Sequence, residues 1–404
     1  MNNLNQLTIF VYIFFKFMNL FNNTKIAFSL KSDSELERAF FLFKLIQSQP
    51  MVKIGKAVTN FALKAHLPVE GLIRSTVFDH FCGGVTEEDC SSIIEKMHHH
   101  KVYSVLDYSV EGKETEEQFD IVKATTLKNI EFAKEKDAIP FVVFKPTGVG
   151  RFSLYQKITE KKSLSNEEKS EWLTVMNRYY EICDKAIKYD VPILIDAEES
   201  WMQDAADVLV EGLMEKYNVN KAIVFNTLQM YRHDRMDYLK ELHQKALKGN
   251  YHIGLKIVRG AYMEKERERA IENKYPSPIC IDKNTTDKNF NDAMKFMMEH
   301  DKMALFAGTH NEDSSYLLLD LAKRHNINSN DNRLWFGQLY GMSDHISFNL
   351  AKEGYNTAKY VPFGPVRDVM PYLIRRAEEN TSVAGQTSRE LNLIKEERVR
   401  RKLE

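Results

Sequence analysis

Eight short runs of apolar and β-branched residues alternate with longer amphipathic stretches over roughly the last three quarters of the chain. Strands that alternate with helices build parallel βαβ units, and eight such units make a closed barrel. A doubly wound open sheet is the alternative, but it would more often carry G-x-G-x-x-G after its first strand, and that motif is absent. We therefore predict an α/β fold, a (β/α)8 TIM-type barrel. The predicted strands are residues 102–110, 139–146, 191–197, 221–231, 253–262, 303–310, 334–340 and 358–362.

The two ends of the chain differ from this pattern. Ser32 to Glu35 reads S-x-x-E, a capping box, and helical apolar spacing follows it. We predict an N-terminal helical segment over residues 18–95 and a barrel catalytic domain over residues 96–404. Residues 1–17 are expected to be an unfolded extension or the product of a mis-assigned start, with a weak membrane-surface anchor as the alternative. Residues 388–404 are expected to form a solvated closing helix.

Charge and cysteine content exclude several classes of protein. The 56 Lys and Arg residues nearly balance the 57 Asp and Glu residues, for a formal charge of -1, which argues against a nucleic-acid partner. The four cysteines form no C-x-x-C pair, so neither a disulfide scaffold nor a thiolate zinc site is expected. Three consecutive histidines, 98–100, resemble a metal tract, but adjacent side chains on a helix diverge and no companion ligands stand at suitable spacing. We expect no bound metal.

Polar residues follow or end every predicted strand, and in a barrel of this class the site lies at those ends. Asp196 could merely cap the next helix, and adjacent arginines could complement a helix dipole. Several cations in one ring nevertheless indicate an anionic ligand. Two classes of enzyme remain open on the pattern alone: a lyase or aldolase that uses Lys145 or Lys256 as a Schiff base, and a cofactor-bearing oxidoreductase. The ring comprises Asp107, Lys145, Asp196, Glu198, Gln229, Lys256, Arg259, Thr309, His310, Asn311, Gln338, Tyr360, Arg375 and Arg376.

Seven segments stand out at the predicted strand ends, over roughly residues 140–385. They are FKPTGVGR (144–151), LIDAEESWMQ (194–203), VFNTLQMY (224–231), GLKIVRGAYMEKER (254–267), GTHNEDS (308–314), FGQLYGM (336–342) and KYVPFGPVRDVMPYLIRRAEENTSV (359–383). In sequence and in order these segments resemble the proline dehydrogenase family, FAD-dependent barrel enzymes of proline catabolism. The resemblance implies a compact monofunctional enzyme that oxidises L-proline to Δ1-pyrroline-5-carboxylate.

The resemblance also implies a role for each matching residue. Asp196 and Lys256 would be catalytic, with Asp196 close to the flavin and ordering Lys145. Bifunctional bacterial members carry Arg at the position of Lys256, and lysine keeps the charge without the bidentate contact. Lys145, Arg375 and Arg376 would hold the proline carboxylate, Tyr262 and Tyr360 would pack over its ring, and Glu379 would orient the two arginines. The FAD contacts would be Ala197, Gln229, Lys256, Val258, Arg259, Gly260, Ala261, Thr309 and His310.

Partners and location follow from the same resemblance. The expected electron acceptor is a membrane quinone, with peripheral association on the inner membrane, although the sequence shows no strong docking element. The expected location is the cytoplasm, or the mitochondrion for a eukaryotic source. Hydroxyproline oxidation is the close alternative within the family, and a non-catalytic flavin-binding homologue is the alternative outside it.

Overall fold

A closed barrel of eight parallel strands forms the centre of the molecule, in the order β1 to β8, and the α/β barrel prediction is confirmed. The computed structural model describes residues 19–48, 50–52, 55, 70–110, 114–382 and 386–403. The prediction for residues 1–17 therefore lies outside the described residues. The strands are β1 (Val102–Tyr108), β2 (Phe141–Phe144), β3 (Ile193–Ile195), β4 (Val224–Gln229), β5 (Ile253–Val258), β6 (Met303–Gly308), β7 (Leu334–Leu339) and β8 (Thr357–Phe363).

All eight predicted strands are present, and most end earlier than their apolar runs predicted. The extra residues at the carboxyl ends, such as Lys145 and Asp196, belong to the loops that follow β2 and β3. The helices, in chain order, are α1 (Thr24–Ala27), α2 (Asp33–Ile46), α3 (Glu70–Ile73), α4 (Asp79–Phe81), α5 (Ser91–His99), α6 (Glu116–Lys134), α7 (Pro146–Val149), α8 (Phe152–Thr159), α9 (Asn166–Tyr189), α10 (Ser200–Tyr217), α11 (Arg235–Gly249), α12 (Met263–Glu272), α13 (Lys283–Met298), α14 (Glu312–Arg324), α15 (Asp344–Lys352), α16 (Met370–Ser382) and α17 (Gln386–Arg400).

Helix α2 begins at the predicted capping box. The Ser32 hydroxyl accepts a hydrogen bond from the Glu35 backbone N–H at 3.3 Å, and the Glu35 carboxylate accepts one from the Ser32 N–H at 2.7 Å. These two bonds satisfy donors that the first turn of a helix otherwise leaves unpaired. Among the described residues before the barrel, α1 to α5 are helical, whereas residues 82–90 form a non-helical turn.

Aromatic side chains fill the barrel interior below its carboxyl end. The Phe141 ring centroid lies 5.5 Å from that of Phe225, 5.3 Å from Phe306 and 5.0 Å from Trp335, all edge-on. Gly337 leaves the space for this cluster, since a Cβ there would lie 2.1 Å from the Phe306 ring. The interior is thus a packed apolar plug. Polar side chains lie above this plug, at the carboxyl ends of the strands, and we call this region the barrel mouth.

The C-terminal helix corrects one expectation. We expected a solvated α17, but Leu393 and Ile394 are fully buried and belong to one cluster with Leu36 and Phe43 of α2. Glu397 is also fully buried, and its carboxylate accepts a hydrogen bond from Arg401 at 2.7 Å. Because α2 covers its apolar face, α17 is an integral part of the fold. The sequence around α17 does not reveal this contact, because the two helices lie far apart in the chain.

The aromatic plug yields a stability prediction. Gly337→Ala should lower the free energy of unfolding by at least about 2 kcal/mol, because a methyl group must displace the Phe306 ring. Gly212→Ala is the matched control: it lies inside α10, where a Cβ meets nothing within 4 Å, and should stabilise by roughly 0.5–1 kcal/mol. Urea unfolding measures both. Equal midpoints for the two variants would contradict the packing described here.

Candidate active site

The carboxyl ends of the strands bring together the polar residues that the sequence singled out. Alternation along each strand puts Lys256 on the same face of β5 as Gly254, beside the aromatic plug. On β8, Tyr360 belongs to the same interior cluster as Phe141 and Trp335. Lys256 and Tyr360 therefore project into the barrel mouth, directly above its apolar filling.

An ion pair occupies the centre of this mouth. The Lys256 ammonium is paired with the Asp196 carboxylate, and it also donates a hydrogen bond to the Tyr360 hydroxyl at 2.9 Å. Burial raises the pKa of Tyr360 well above its usual value, so its hydroxyl is neutral. Asp196 does not cap a helix, since the N-cap of α10 is Glu199. The three side chains form one connected unit, from the loop after β3 and from strands β5 and β8.

Lys145 has a separate acidic partner. Its ammonium lies 3.4 Å from the Asp107 carboxylate, whose other oxygen accepts a hydrogen bond from Ser109 at 2.6 Å. We expected Asp196 to order Lys145, but the contacts that the structure gives pair Asp196 with Lys256. The two lysines are therefore held from different strands, and each lies beside its own carboxylate.

A guanidinium group is fixed at the end of β5. Arg259 donates to Asp287 at 2.6 Å, to the Thr309 hydroxyl at 2.8 Å and to the Ser314 hydroxyl at 3.0 Å. Although burial acts in the opposite direction, Lys283 and Arg259 hold the pKa of Asp287 below its usual value. The arginine thus keeps one orientation before any ligand binds.

The next residue, Gly260, can only be glycine. Its φ of +132° lies in a region that residues with a Cβ rarely adopt, and a Cβ would lie 2.6 Å from the Tyr231 ring. The turn that follows carries Ala261 and then Tyr262, which is the N-cap residue of α12. Gly260 therefore fixes the path of the chain between Arg259 and Tyr262.

His310 is held in its neutral form at the end of β6. Its Nδ1 lies 2.9 Å from the Ser343 hydroxyl, and the Ser343 backbone N–H donates to the buried Glu390 of α17 at 3.0 Å. Burial first, and then the charges of Lys359 and Arg376, lower the pKa of His310 to about 3. A neutral imidazole keeps one acceptor nitrogen and one donor nitrogen.

Gln229 offers a buried acceptor without a protein partner among the described residues. Its amide nitrogen donates to the Glu198 carbonyl oxygen at 3.0 Å, which fixes the orientation of the side chain, while its oxygen Oε1 is buried and has no hydrogen bond. Such a group costs free energy unless a ligand or water donates to it. Val258 ends β5 and Ala197 lies two residues after β3, and both have small or apolar side chains. The mouth therefore suits a ligand that carries N–H donors on an otherwise apolar surface.

The paired arginines lie on α16, after β8. Arg376 is buried, with its guanidinium 5.0 Å from the centroid of the Tyr372 ring, whereas Arg375 is partly exposed. Glu379 belongs to the same helix, but its side chain lies outside those described. Its expected support of the arginines stays a prediction.

Sequence reasoning missed the residues that support the site from outside the strand ends. Asp287 of α13 orients Arg259, and Ser343 and Glu390 lie behind His310. They come from helices and loops distant in the chain from the residues that they contact. No spacing rule could have found them, because these contacts depend on how the helices pack around the barrel.

The family model described as "Proline dehydrogenase" matches residues 90–389. Relatives include the proline dehydrogenase 1, mitochondrial, of Arabidopsis thaliana, 32% identical over 93% of this chain and 85% of its own length. The corresponding protein of Dictyostelium discoideum is 31% identical over 92% of this chain and 73% of its own length. The carbapenem antibiotics biosynthesis protein CarD of Pectobacterium carotovorum is 34% identical over 86% of this chain and 91% of its own length.

Solved structures show the same fold. Proline utilization A (PutA) from Bdellovibrio bacteriovorus, inactivated by N-propargylglycine, superposes with a TM-score of 0.67 at 20% identity. The match covers 91% of this chain but 37% of that one, so the present chain spans about a third of its length.

The neutral state of His310 predicts how stability depends on pH. The imidazole takes up a proton with a pKa near 6.5 in the unfolded chain and near 3 in the folded one. The contribution of His310 to the free energy of unfolding is therefore fully present above pH 6.5 and is lost as the pH falls from there toward 3. Replacing His310 with Gln should reduce the slope of unfolding free energy between pH 6 and pH 4 by up to about 1.4 kcal/mol per pH unit. Urea unfolding across that range measures it. An unchanged slope would mean that His310 is not held neutral.

Proposed function

The chain belongs to the proline dehydrogenase family, and on that premise we propose that it oxidises L-proline to Δ1-pyrroline-5-carboxylate with bound FAD, the first step of proline degradation to glutamate. The observation that carries the proposal is the set of cations in the barrel mouth. Lys145 and Lys256 lie there, each beside its own carboxylate, in the segments that match the family. A small carboxylic acid is the ligand that such a site suits.

The residues at the ends of β4, β5 and β6 fit FAD. The unpaired oxygen of Gln229 can accept from a ring N–H, neutral His310 can donate or accept, and the fixed Arg259 can face a phosphate. Thr309, Gly260 and the apolar positions Ala197, Val258 and Ala261 complete the proposed contacts. When bound, FAD supplies the acceptor for the two electrons that leave the substrate.

The chain's own residues would bind and orient proline. Lys145, Arg375 and Arg376 hold the carboxylate, and Tyr262 and Tyr360 pack against the ring. The reaction removes a hydride from the ring carbon next to nitrogen and a proton from that nitrogen, which leaves a C=N bond. Because the surrounding cations disfavour a charged amine, they promote the neutral form from which this bond can develop. No single base is assigned.

Three alternatives carry less support. A Schiff-base lyase needs an uncharged lysine, whereas Lys145 and Lys256 both lie beside carboxylates. Hydroxyproline differs from proline by one hydroxyl, and we assign that discrimination to Tyr360, whose own hydroxyl is held by Lys256 at 2.9 Å. A non-catalytic flavin-binding homologue would have no reason to keep this substrate-side set of residues.

Electron transfer to a membrane quinone belongs to the proposal, with peripheral membrane contact. Within the described residues, no helix is both long and apolar enough to cross a membrane. Several relatives carry mitochondrial names. A cytoplasmic or inner-membrane location, or a mitochondrial one in a eukaryote, stays a prediction.

The direct test is the visible spectrum of the purified protein before and after anaerobic addition of proline. A flavin band that bleaches with L-proline, and much less with trans-4-hydroxyproline, supports cofactor, reaction and preference together. A bound flavin that responds to neither compound would overturn the proposed substrate. A colourless protein that does not respond even after FAD is added would overturn the proposal and favour the Schiff-base lyase.

Lys145→Met tests the substrate side separately. Losing one charge-assisted contact to the carboxylate should raise KM for proline roughly 10- to 100-fold, with the flavin band intact. Lys157→Met is the matched control, because Lys157 pairs with Glu168 away from the barrel mouth, and it should leave KM unchanged. Equal KM values for the two variants would remove Lys145 from the carboxylate site.

A further inference from the structure

Glu198 is a buried acid in the barrel mouth that the proposed chemistry does not use. It lies between β3 and α10, and its side chain turns toward the loop after β2. The Glu198 carboxylate accepts a hydrogen bond from the Thr147 backbone N–H at 2.9 Å and another from the Thr147 hydroxyl at 2.7 Å. Thr147 comes two residues after Lys145. Both oxygens of the acid therefore hold the turn that carries a substrate-binding lysine.

The backbone of Glu198 is engaged as well. Its N–H donates to the side-chain oxygen of Gln203 at 2.8 Å, and its carbonyl oxygen accepts from Gln229 at 3.0 Å. Gln203 in turn donates to the buried Asp207 at 2.8 Å, which anchors the arrangement to α10. One residue thus connects the loop after β2, the loop after β3 and the end of β4.

We propose that Glu198 is a positioning residue of the active site, which sets the place of Lys145 through Thr147 and the place of the unpaired Gln229 oxygen through its own carbonyl group. This inference rests on the proposed function for its effect on proline binding. Glu198 touches neither substrate nor cofactor in this account. It fixes the distance between the group that holds the carboxylate and the group that accepts from the flavin.

A purely structural role for Glu198 would be to cap α7, a helix of only four residues, by accepting the Thr147 hydrogen bonds. Capping by itself does not require an acid, because a threonine or asparagine satisfies such donors at lower desolvation cost. An acid at this position is costly to bury. Burial, and then the repulsion of Glu199, raise the pKa of Glu198 to about 7. The Thr147 hydrogen bonds and the Lys145 charge act in the opposite direction. The site therefore buries, at a cost in desolvation, an acid that can change its charge near Lys145.

The groups that face Glu198 determine how it responds to pH. Glu199 follows it in the chain and Lys145 approaches from the loop after β2, while Tyr155 of α8 and Tyr179 of α9 are buried and neutral, with pKa values raised by burial. The ionised acid accepts both Thr147 bonds, and a proton on it replaces one acceptor with a donor. Ligand binding should weaken as the pH falls through about 7.

Cyclopentanecarboxylate is the probe, because it lacks the ring nitrogen and can neither titrate there nor be oxidised. Its binding to the FAD-loaded protein is followed from the flavin spectrum between pH 6 and pH 8.5. In the parent protein the dissociation constant should rise at least threefold toward pH 6. Glu198→Gln replaces one acceptor with a donor permanently, as protonation does, and has no titrating group, so its affinity should stay near the parent's low-pH value and be independent of pH.

Two further variants separate positioning from folding. Glu198→Leu removes both bonds and should weaken probe binding at least fivefold, with the urea midpoint recorded alongside. Glu199→Gln is the matched control, because it leaves the Thr147 contacts in place and removes the repulsion together with the ion pair to the exposed Lys265, so it should move the pH midpoint downward without changing high-pH affinity. A pH profile in Glu198→Gln identical to the parent's would overturn the proposal.

Hydrogen exchange gives a readout that does not depend on the substrate. The Thr147 N–H is bonded to Glu198, so exchange in the 144–149 peptide should be faster in Glu198→Leu than in the parent, at equal global stability. Unchanged exchange would overturn the positioning role even if proline proves not to be the substrate. If exchange is faster in Glu198→Leu but proline does not bleach the flavin band of the parent protein, Glu198 still holds the turn and the proposed function is rejected.

Discussion

The ion pair between buried Lys256 and partly buried Asp196 is the interaction on which the rest of the barrel mouth depends. Two charges removed from water cost several kcal/mol unless each finds an opposite charge and further hydrogen bonds. Here the Tyr360 hydroxyl takes a second bond from the ammonium. The aromatic plug beneath the pair keeps water from reaching it from below, and the closed barrel fixes the three strands that carry the group.

Charges farther from the centre of the barrel mouth are also paired with opposite charges. Two further cations of the mouth have an acid beside them: Lys145 lies against Asp107, and Arg259 is bound by Asp287. Farther out, Lys359 of β8 is paired with Asp344 at 2.7 Å, which is in turn 3.3 Å from Lys31 of the N-terminal segment. The charges that suit an anionic ligand are therefore held in place before it arrives. This limits the reorganisation that binding requires.

The fold and most of the ring could be predicted from the sequence, because both follow from local patterns. Apolar runs at strand spacing reveal the eight strands, and polar residues such as Asp196 and Gln229 mark their carboxyl ends. Pairing could not be predicted in the same way: whether Asp196 orders Lys145 or Lys256 depends on strand register and side-chain length. Nor could the burial of α17 be predicted, since its partner helix, α2, lies some 350 residues earlier in the chain.

A double-mutant cycle on the cofactor-free protein tests the central ion pair most directly. Asp196→Asn and Lys256→Met are compared with the double variant by urea unfolding at pH 7. We expect Asp196→Asn to cost about 3–5 kcal/mol, because it leaves the buried Lys256 charge without its partner, and Lys256→Met to cost less, because Asp196 is partly exposed. The double variant should cost clearly less than the sum of the two, with a coupling of at least about 1 kcal/mol. Additive losses would show that the two residues do not interact, and would contradict this account of how the barrel mouth is built.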